Sequence, residues 1–475
     1  MLLNKSIREL RRLFDLNEIT SVELVKEAYE QIERHNGLLG AFIALREKAE
    51  ALCEAEELDK KPVASRGPLH GIPFSMKDVF VTKDVHTTAG SKMLHGFSSP
   101  FESTVAKRLR DAGAILIGKN SMDAWGHGGS TENTDYAIAK NPWDINRIPG
   151  GSSGGGAIAV ATRMVAFAIG EDTGGSIRNP ASMCNISGMK VTYGRVSRYG
   201  TIAYASSLDT VGPMTKCAED AAEVLEVIAG HDHKDATSSK RVALRYGKLI
   251  DKPLSFLRIG IPSVFLAEEV EAPIRDIFKE AVKTFESLGA SVVRVEIPSL
   301  SYAIPMYYLI AMSETCSNLA RFDGIRFGAN RSNFSPETVR RILVGTHALK
   351  AGYHDELYKR SVRGRTMLIK EFDVLWKHCD VVLGPTLPSL PHKHGEIAKD
   401  PMIMFLADSF TVPVNLTGCP ALALPAGFTG TGLPVGIQLI GKKFDEETLL
   451  GLGHAYQKKT DWHTKIPSLV AHKKR

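Results

Sequence analysis

Two glycine clusters, each carrying serine, lie within one short segment, residues 149–176, which reads PGGSSGGGAIAVATRMVAFAIGEDTGGS. Glycine accepts positive φ and lets other groups come close to the backbone, at an entropic cost. Two such clusters joined by small apolar residues imply a chain in which a serine and several backbone N–H groups converge on something small. The pattern predicts loop, helix, strand, loop, with a helix over 157–162, a buried strand over 165–169 and a tight turn over 172–176. A serine in that turn stands at the C-terminal end of a strand, where open α/β sheets place their ligands.

The chain has 475 residues, long enough for a large core. Hydrophobic residues make up 43% and charged residues 24%, which excludes disordered and collagen-like classes. The net charge of +6 permits a nucleic-acid partner but does not argue for one. Six scattered cysteines without a CxxC pair suit buried, reduced thiols of the cytosol. The N-terminus is interrupted by charge, and no apolar run approaches the roughly 20 residues of a spanning helix. A soluble, cytoplasmic chain without a membrane segment is expected.

Along the chain, Thr20-Ser21-Val22-Glu23 is a capping box opening a helix to about residue 35, stopped by Asn36-Gly37. A second helix is predicted over 45–58. In the run GPLHGIPFSMKDVF, Lys77 falls among apolar residues on a core strand. Such a lysine either snorkels at an edge or is desolvated, with a depressed pKa that suits a general base. Helix then strand is expected over 104–112 and 114–117, and a helix over 218–229. Segments 257–262, 274–288 and 291–297 form a βαβ unit. Residues 302–358 are largely helical, 380–386 is another strand, 422–425 and 435–440 close the sheet, and 472–475 form a solvated tail. His231-Asp232-His233 has no third ligand at useful spacing, so a loop is favoured over a metal site.

No repeat or linker interrupts the α/β alternation, which predicts one domain over 1–475. Its parts are N-terminal helices over about 1–60, a catalytic core over about 65–230, a helical substrate and partner region over about 300–375 and closing strands over about 380–445.

Two serine-hydrolase templates compete. Gly151-Ser152-Ser153-Gly154-Gly155 formally matches the G-x-S-x-G elbow, and His127-Gly128-Gly129 imitates an esterase oxyanion motif. An elbow needs an apolar strand before it, whereas residues 141–149 are polar and carry proline. The second template needs no histidine: a lysine can activate one serine through the hydroxyl of another, and Lys77, Ser152 and Ser176 can supply it.

GIPFSMKD, PGGSSGGG and DTGGSIRNPA, in this order, resemble the amidase signature family, and the resemblance spans nearly the whole chain. It implies an α/β fold, a single large amidase-signature domain with a central mixed sheet covered by helices on both faces. It also implies Ser176 as nucleophile, Ser152, preceded by a cis peptide, as proton relay, Lys77 as base, and an oxyanion hole from the N–H groups of Thr173, Gly174, Gly175 and Ser176.

SNLARFDGIRFG, VRRILVGTHALKAGYHDELYKR and TVPVNLTGCPALALP resemble the tRNA-dependent amidotransferase branch. That branch implies glutamine as the small-molecule substrate, its carboxylate met by Arg365 and its α-amino group by Asp408. It further implies assembly with B and C subunits as a heterotrimer serving Glu-tRNA(Gln). No cofactor or metal would be bound by this chain, with ATP and Mg used through the B subunit. Gly156 stands where the family more often has serine, His127 where it has methionine, and the segment between Arg326 and Arg340 is short. A free-standing amidase for another small amide, or a catalytically silent tRNA-binding scaffold, are the competing readings.

Overall fold

The computed structural model describes residues 1–251 and 257–471; the predicted tail 472–475 lies outside them. Its strands are β1 (Phe42–Leu45), β2 (Pro73–Lys77), β3 (Ile115–Asn120), β4 (Phe167–Asp172), β5 (Ser187–Lys190) and β6 (Thr210–Thr215), then β7 (Arg258–Pro262), β8 (Ser291–Val295), β9 (Val381–Pro385), β10 (Ala421–Phe428) and β11 (Pro434–Gly441). They form one 11-stranded sheet in the order β1-β3-β2-β4-β6-β5-β10-β11-β9-β7-β8. β2 runs parallel to both β3 and β4, and β7 runs parallel to β8 and β9; the other pairs are antiparallel. The sheet is therefore mixed, and the predicted βαβ unit is present around the helix Ala272–Ser287.

The central strands are buried on both faces, so successive side chains feed two cores. Leu116, Phe167 and Ile169 enter one core, while Ile115, Ile117 and Ala168 enter the other. Helices cover each face, as burial on both sides of parallel strands requires. The helix Gly154–Ala161 packs into the second core and is fully buried along its length. Among the described residues no helix is long and apolar enough to cross a membrane.

Several boundaries differ from expectation. The Thr20/Glu23 capping box is formed, but its helix runs Ser21–Leu39 because buried Leu39 extends it and Gly40, at φ 63°, is the actual stop. The stretch predicted as helix from residue 45 begins with β1 and becomes helical only at Lys48–Asp59. The glycines at 154–156 lie inside a helix rather than before one: Gly155 comes close to the backbone of Ala41 and Ser121, and Gly154 to the Thr131 side chain. Residues 302–358 contain the helices Ala303–Leu319 and Pro336–Leu349, with irregular chain between them. In that connection Asp323 Oδ1 accepts the N–H groups of Ile325, Arg326 and Phe327, closing the turn. Of the cysteines, Cys184, Cys379 and Cys419 are buried, while Cys53 is exposed.

Candidate active site

Parallel pairing of β2 with β4 brings their C-terminal ends together, and this is where Lys77, Ser152 and the Ser176 loop meet. Lys77, the last residue of β2, is 1% exposed. Its Nζ donates to Ser152 Oγ at 2.7 Å, to the Glu171 carbonyl at 3.2 Å, and to Glu171 Oε2 at 2.8 Å. The lysine is thus a desolvated core residue, neither an edge nor a snorkelling one. The Gly151–Ser152 peptide bond is cis.

The loop after β4 is tied across the serine segment, because Ser153 N–H donates to the Ser176 carbonyl at 3.2 Å. Ser153 is fully buried and its hydroxyl donates to the Glu171 carbonyl at 3.2 Å. Ser176, in contrast, retains 8% exposure. Ser153 therefore serves the backbone, and the elbow reading fails on contact as well as on context. Its companion motif fails too: His127 is buried between Thr315 and Thr338, and burial pushes its pKa well below the usual range.

Asp172, at the end of β4, organises the Ser176 loop. Its carboxylate accepts the N–H groups of Gly175 (2.9 Å) and Ile177 (3.1 Å), and it pairs with buried Arg178 at 3.1 Å. Burial would raise its pKa, but the charge and hydrogen bond of Arg178, the Lys190 charge and the Asn415 hydrogen bond together outweigh burial and hold it at about 2. Of the four N–H groups expected to form an oxyanion hole, that of Gly175 is committed to Asp172, while those of Thr173, Gly174 and Ser176 have no hydrogen-bond partner among the described residues. Gly174 lies against Tyr307, where a Cβ would come within 2.5 Å of the ring. A second loop clamps the first serine cluster. Asp123 accepts the N–H groups of Ser130, Thr131 and Asn133 while its own N–H donates to the Ser152 carbonyl. Burial raises Asp123 to about 6.

Asp408 is 9% exposed and accepts the Tyr308 hydroxyl at 2.7 Å. Burial lifts its pKa to about 7, against the lowering effect of Tyr308 and Arg341. It is joined to the Ser176 loop through Thr411, whose N–H donates to the Asp408 carbonyl while its hydroxyl donates to the Gly174 carbonyl at 2.6 Å. Arg365 donates from Nε to the Leu416 carbonyl and from its two terminal nitrogens to Ser207. Among the described residues it has no carboxylate at ion-pair distance, and N–H groups on both terminal nitrogens remain uncommitted. It is not the surface ion pair that a basic helix alone would suggest. Asp232, from the His-Asp-His triplet expected to be a loop, accepts the hydroxyls of Thr104 and Ser197.

Sequence reasoning missed Glu171 and Asp209. Thr173 Oγ1 lies between them, hydrogen-bonded to Glu171 Oε1 and, at 2.8 Å, to Asp209 Oδ1. A glutamate next to the GGS turn was visible, but its pairing with Lys77, 94 positions away, was not.

The Amidase family model matches residues 23–450. The glutamyl-tRNA(Gln) amidotransferase A subunit of Methylobacillus flagellatus is 42% identical, covering 99% of this chain and 100% of the relative. That of Chloroflexus aurantiacus is 46% identical over 95% and 96%. Among solved structures, the crystal structure of the glutamyl-tRNA(Gln) amidotransferase A subunit from Thermotoga maritima superposes with a TM-score of 0.85 at 37% identity, covering 98% of each chain. The native peptide amidase of Stenotrophomonas maltophilia gives 0.80 at 28%, over 96% and 97%.

Proposed function

Because the chain belongs to the amidase signature family, we propose that it is the glutamine-hydrolysing component of a tRNA-dependent amidotransferase, releasing ammonia for conversion of Glu-tRNA(Gln) to Gln-tRNA(Gln). The relatives' names support the assignment, and their full-length coverage extends it across this chain. The B and C subunits of that complex are its partners, ATP and Mg are used through the B subunit, and the complex works in the cytoplasm.

The observation that carries the chemistry is the buried Lys77–Ser152 hydrogen bond of 2.7 Å beside the Ser176 loop. Ser176 Oγ bonds to the side-chain carboxamide carbon, and its proton passes to Ser152, whose own proton goes to Lys77. Collapse of the tetrahedral intermediate breaks the C–N bond, and the same proton returns through Ser152 to the departing nitrogen as ammonia. Water then attacks the acyl-enzyme by the same route, leaving glutamate and free Ser176. The N–H groups of Thr173, Gly174 and Ser176 are the donors for the oxyanion, each worth about 3 kcal/mol at the transition state. Asp408 meets the α-ammonium of glutamine and Arg365 its α-carboxylate, a pairing suited to a fork donor and a buried anion.

The test is transamidation of Glu-tRNA(Gln) by the complete complex with ATP and Mg, supplied with either glutamine or an ammonium salt. Lys77→Ala should abolish the glutamine-supported reaction and spare the ammonium-supported one. Equal loss of both would show that this chain does something other than supply ammonia.

A further inference from the structure

Three side chains beyond the serines form a continuous line from the lysine. Lys77 Nζ meets Glu171 Oε2, Glu171 Oε1 meets Thr173 Oγ1, and Thr173 Oγ1 meets Asp209 Oδ1. All four residues are buried, with Glu171 2% and Asp209 1% exposed. Asp209 also accepts the N–H groups of Tyr204 and Ala205. It lines a polar cavity of about 230 Å³ shared with Arg198, Lys234 and Arg321.

We propose that Glu171 is a positioning residue for the base, and that Lys77, Glu171, Thr173 and Asp209 share protons as one chain, in which Glu171 orients the amine on Ser152 and takes up its extra proton. The inference deepens the reading of Lys77 as base and rests on it. An ammonium has three N–H donors, and Lys77 has three acceptors around it: Ser152 Oγ, the Glu171 carbonyl and the Glu171 carboxylate. In that state it has no lone pair with which to accept from Ser152. Transfer of one proton to Glu171 converts the ammonium and carboxylate into an amine and a carboxylic acid, with no net change in charge. The amine then directs two N–H groups to Glu171 and turns its lone pair to the Ser152 hydroxyl. The new acid proton lies on Oε1, from which it donates to Thr173, and Thr173 donates to Asp209. One proton can thus serve two carboxyls through a single hydroxyl, as expected where buried carboxyls interact. Burial and then the charge of Glu171 in its ionised form raise Asp209 to about 8.

Other charges around the chain are already engaged. Asp78 is paired with Lys119 at 3.6 Å, and Asp172 with Arg178 at 3.1 Å. Arg341 donates to Tyr204 and Glu337. Asp123, from the clamping loop, faces Lys77, while Arg198, Lys234 and Arg321 share the cavity with Asp209 at the far end. None of these is within hydrogen-bond distance of Lys77 Nζ, so among the described residues Glu171 is the anion that acts on it directly.

The test measures the rate of covalent labelling of Ser176 by a fluorophosphonate probe from pH 5 to 10, with the adduct located by mass spectrometry, in the full chain. Glu171→Gln removes the anion and keeps the shape, so the acid limb of the rate profile should move to lower pH by one unit or more, with a plateau within about tenfold of wild type. Glu171→Asp keeps the anion but withdraws it by one methylene, so the limb should stay in place while the plateau falls at least tenfold. If both variants lowered the plateau without moving the limb, Glu171 would be a packing residue and the proposal would fall. If wild-type Ser176 did not label at all, the triad reading would fall first and take this inference with it.

Discussion

Replacing Asp172 by asparagine should release the loop that carries Ser176. The carboxylate is fully buried and accepts from Gly175 and Ile177 N–H, Arg178 and Asn415. Held at about 2 against an ordinary 3.8, it contributes roughly 2 to 3 kcal/mol of stability, at about 1.4 kcal/mol per unit. The sign follows from the depressed value: the contribution is complete above about pH 4 and lost as pH falls through about 2. Asparagine keeps the shape but leaves Arg178, itself fully buried, without its anion, a change that costs about 3 to 5 kcal/mol. Urea unfolding at pH 7 of wild type, Asp172→Asn, Arg178→Gln and the double variant gives the coupling directly. The expected coupling is about 2 kcal/mol or more, with glutamine hydrolysis reduced at least a hundredfold in Asp172→Asn as the oxyanion donors lose register. A single variant within about 1 kcal/mol of wild type that kept its turnover would refute the claim that this pair holds the loop.

Asp408 must be ionised to meet an ammonium, so KM for glutamine should fall as pH rises through about 7 and level off above it. Asp408→Asn should remove that dependence and cost about 2 kcal/mol, some thirtyfold in kcat/KM, while leaving a small uncharged amide unaffected; steady-state kinetics on both substrates checks this. Two glycines of one helix should respond with opposite signs in thermal unfolding. A Cβ on Gly155 would lie 2.5 and 2.6 Å from Ser121 backbone atoms, so Gly155→Ala should destabilise by about 2 to 3 kcal/mol. Gly156→Ser meets its nearest neighbours at 3.3 Å or more and can reach Asn120 Oδ1, which is buried without a partner, so it should stabilise by about 0.5 kcal/mol.

Lys77 and the Ser176 turn were legible in the sequence because their setting is local: a strand end, a glycine turn and a charged residue among apolar ones; the part given to Ser152 rested on the family resemblance. The groups that control these residues were not legible. Glu171 reaches Lys77 only after β2 and β4 are paired, and Asp172 reaches Asn415 only once the distant helix Val412–Thr417 is packed beside it, and a side-chain pattern carries no record of such distant pairings. The β strands and their α/β alternation were readable from apolar runs, since strands buried on both faces leave them uninterrupted. Helix boundaries were less readable where glycine was involved. Gly37 is tolerated inside a helix that Gly40 ends, and glycines 154–156 start a helix in which Gly155 has no room for a side chain against the backbone of Ala41 and Ser121.

The central claim is that Ser176 is the nucleophile and that Lys77 acts on it through Ser152. The most direct measurement labels the nucleophile covalently with a glutamine-mimicking electrophile, such as a diazo ketone of glutamine's length that alkylates it with loss of N2, and sequences the modified peptide by mass spectrometry. The adduct should lie on Ser176, and should disappear in Ser176→Ala, Ser152→Ala and Lys77→Ala alike. Lys77→Arg should also fail, since arginine does not give up its proton. An adduct on Ser153, or full labelling of Ser176 without Lys77, would contradict the account.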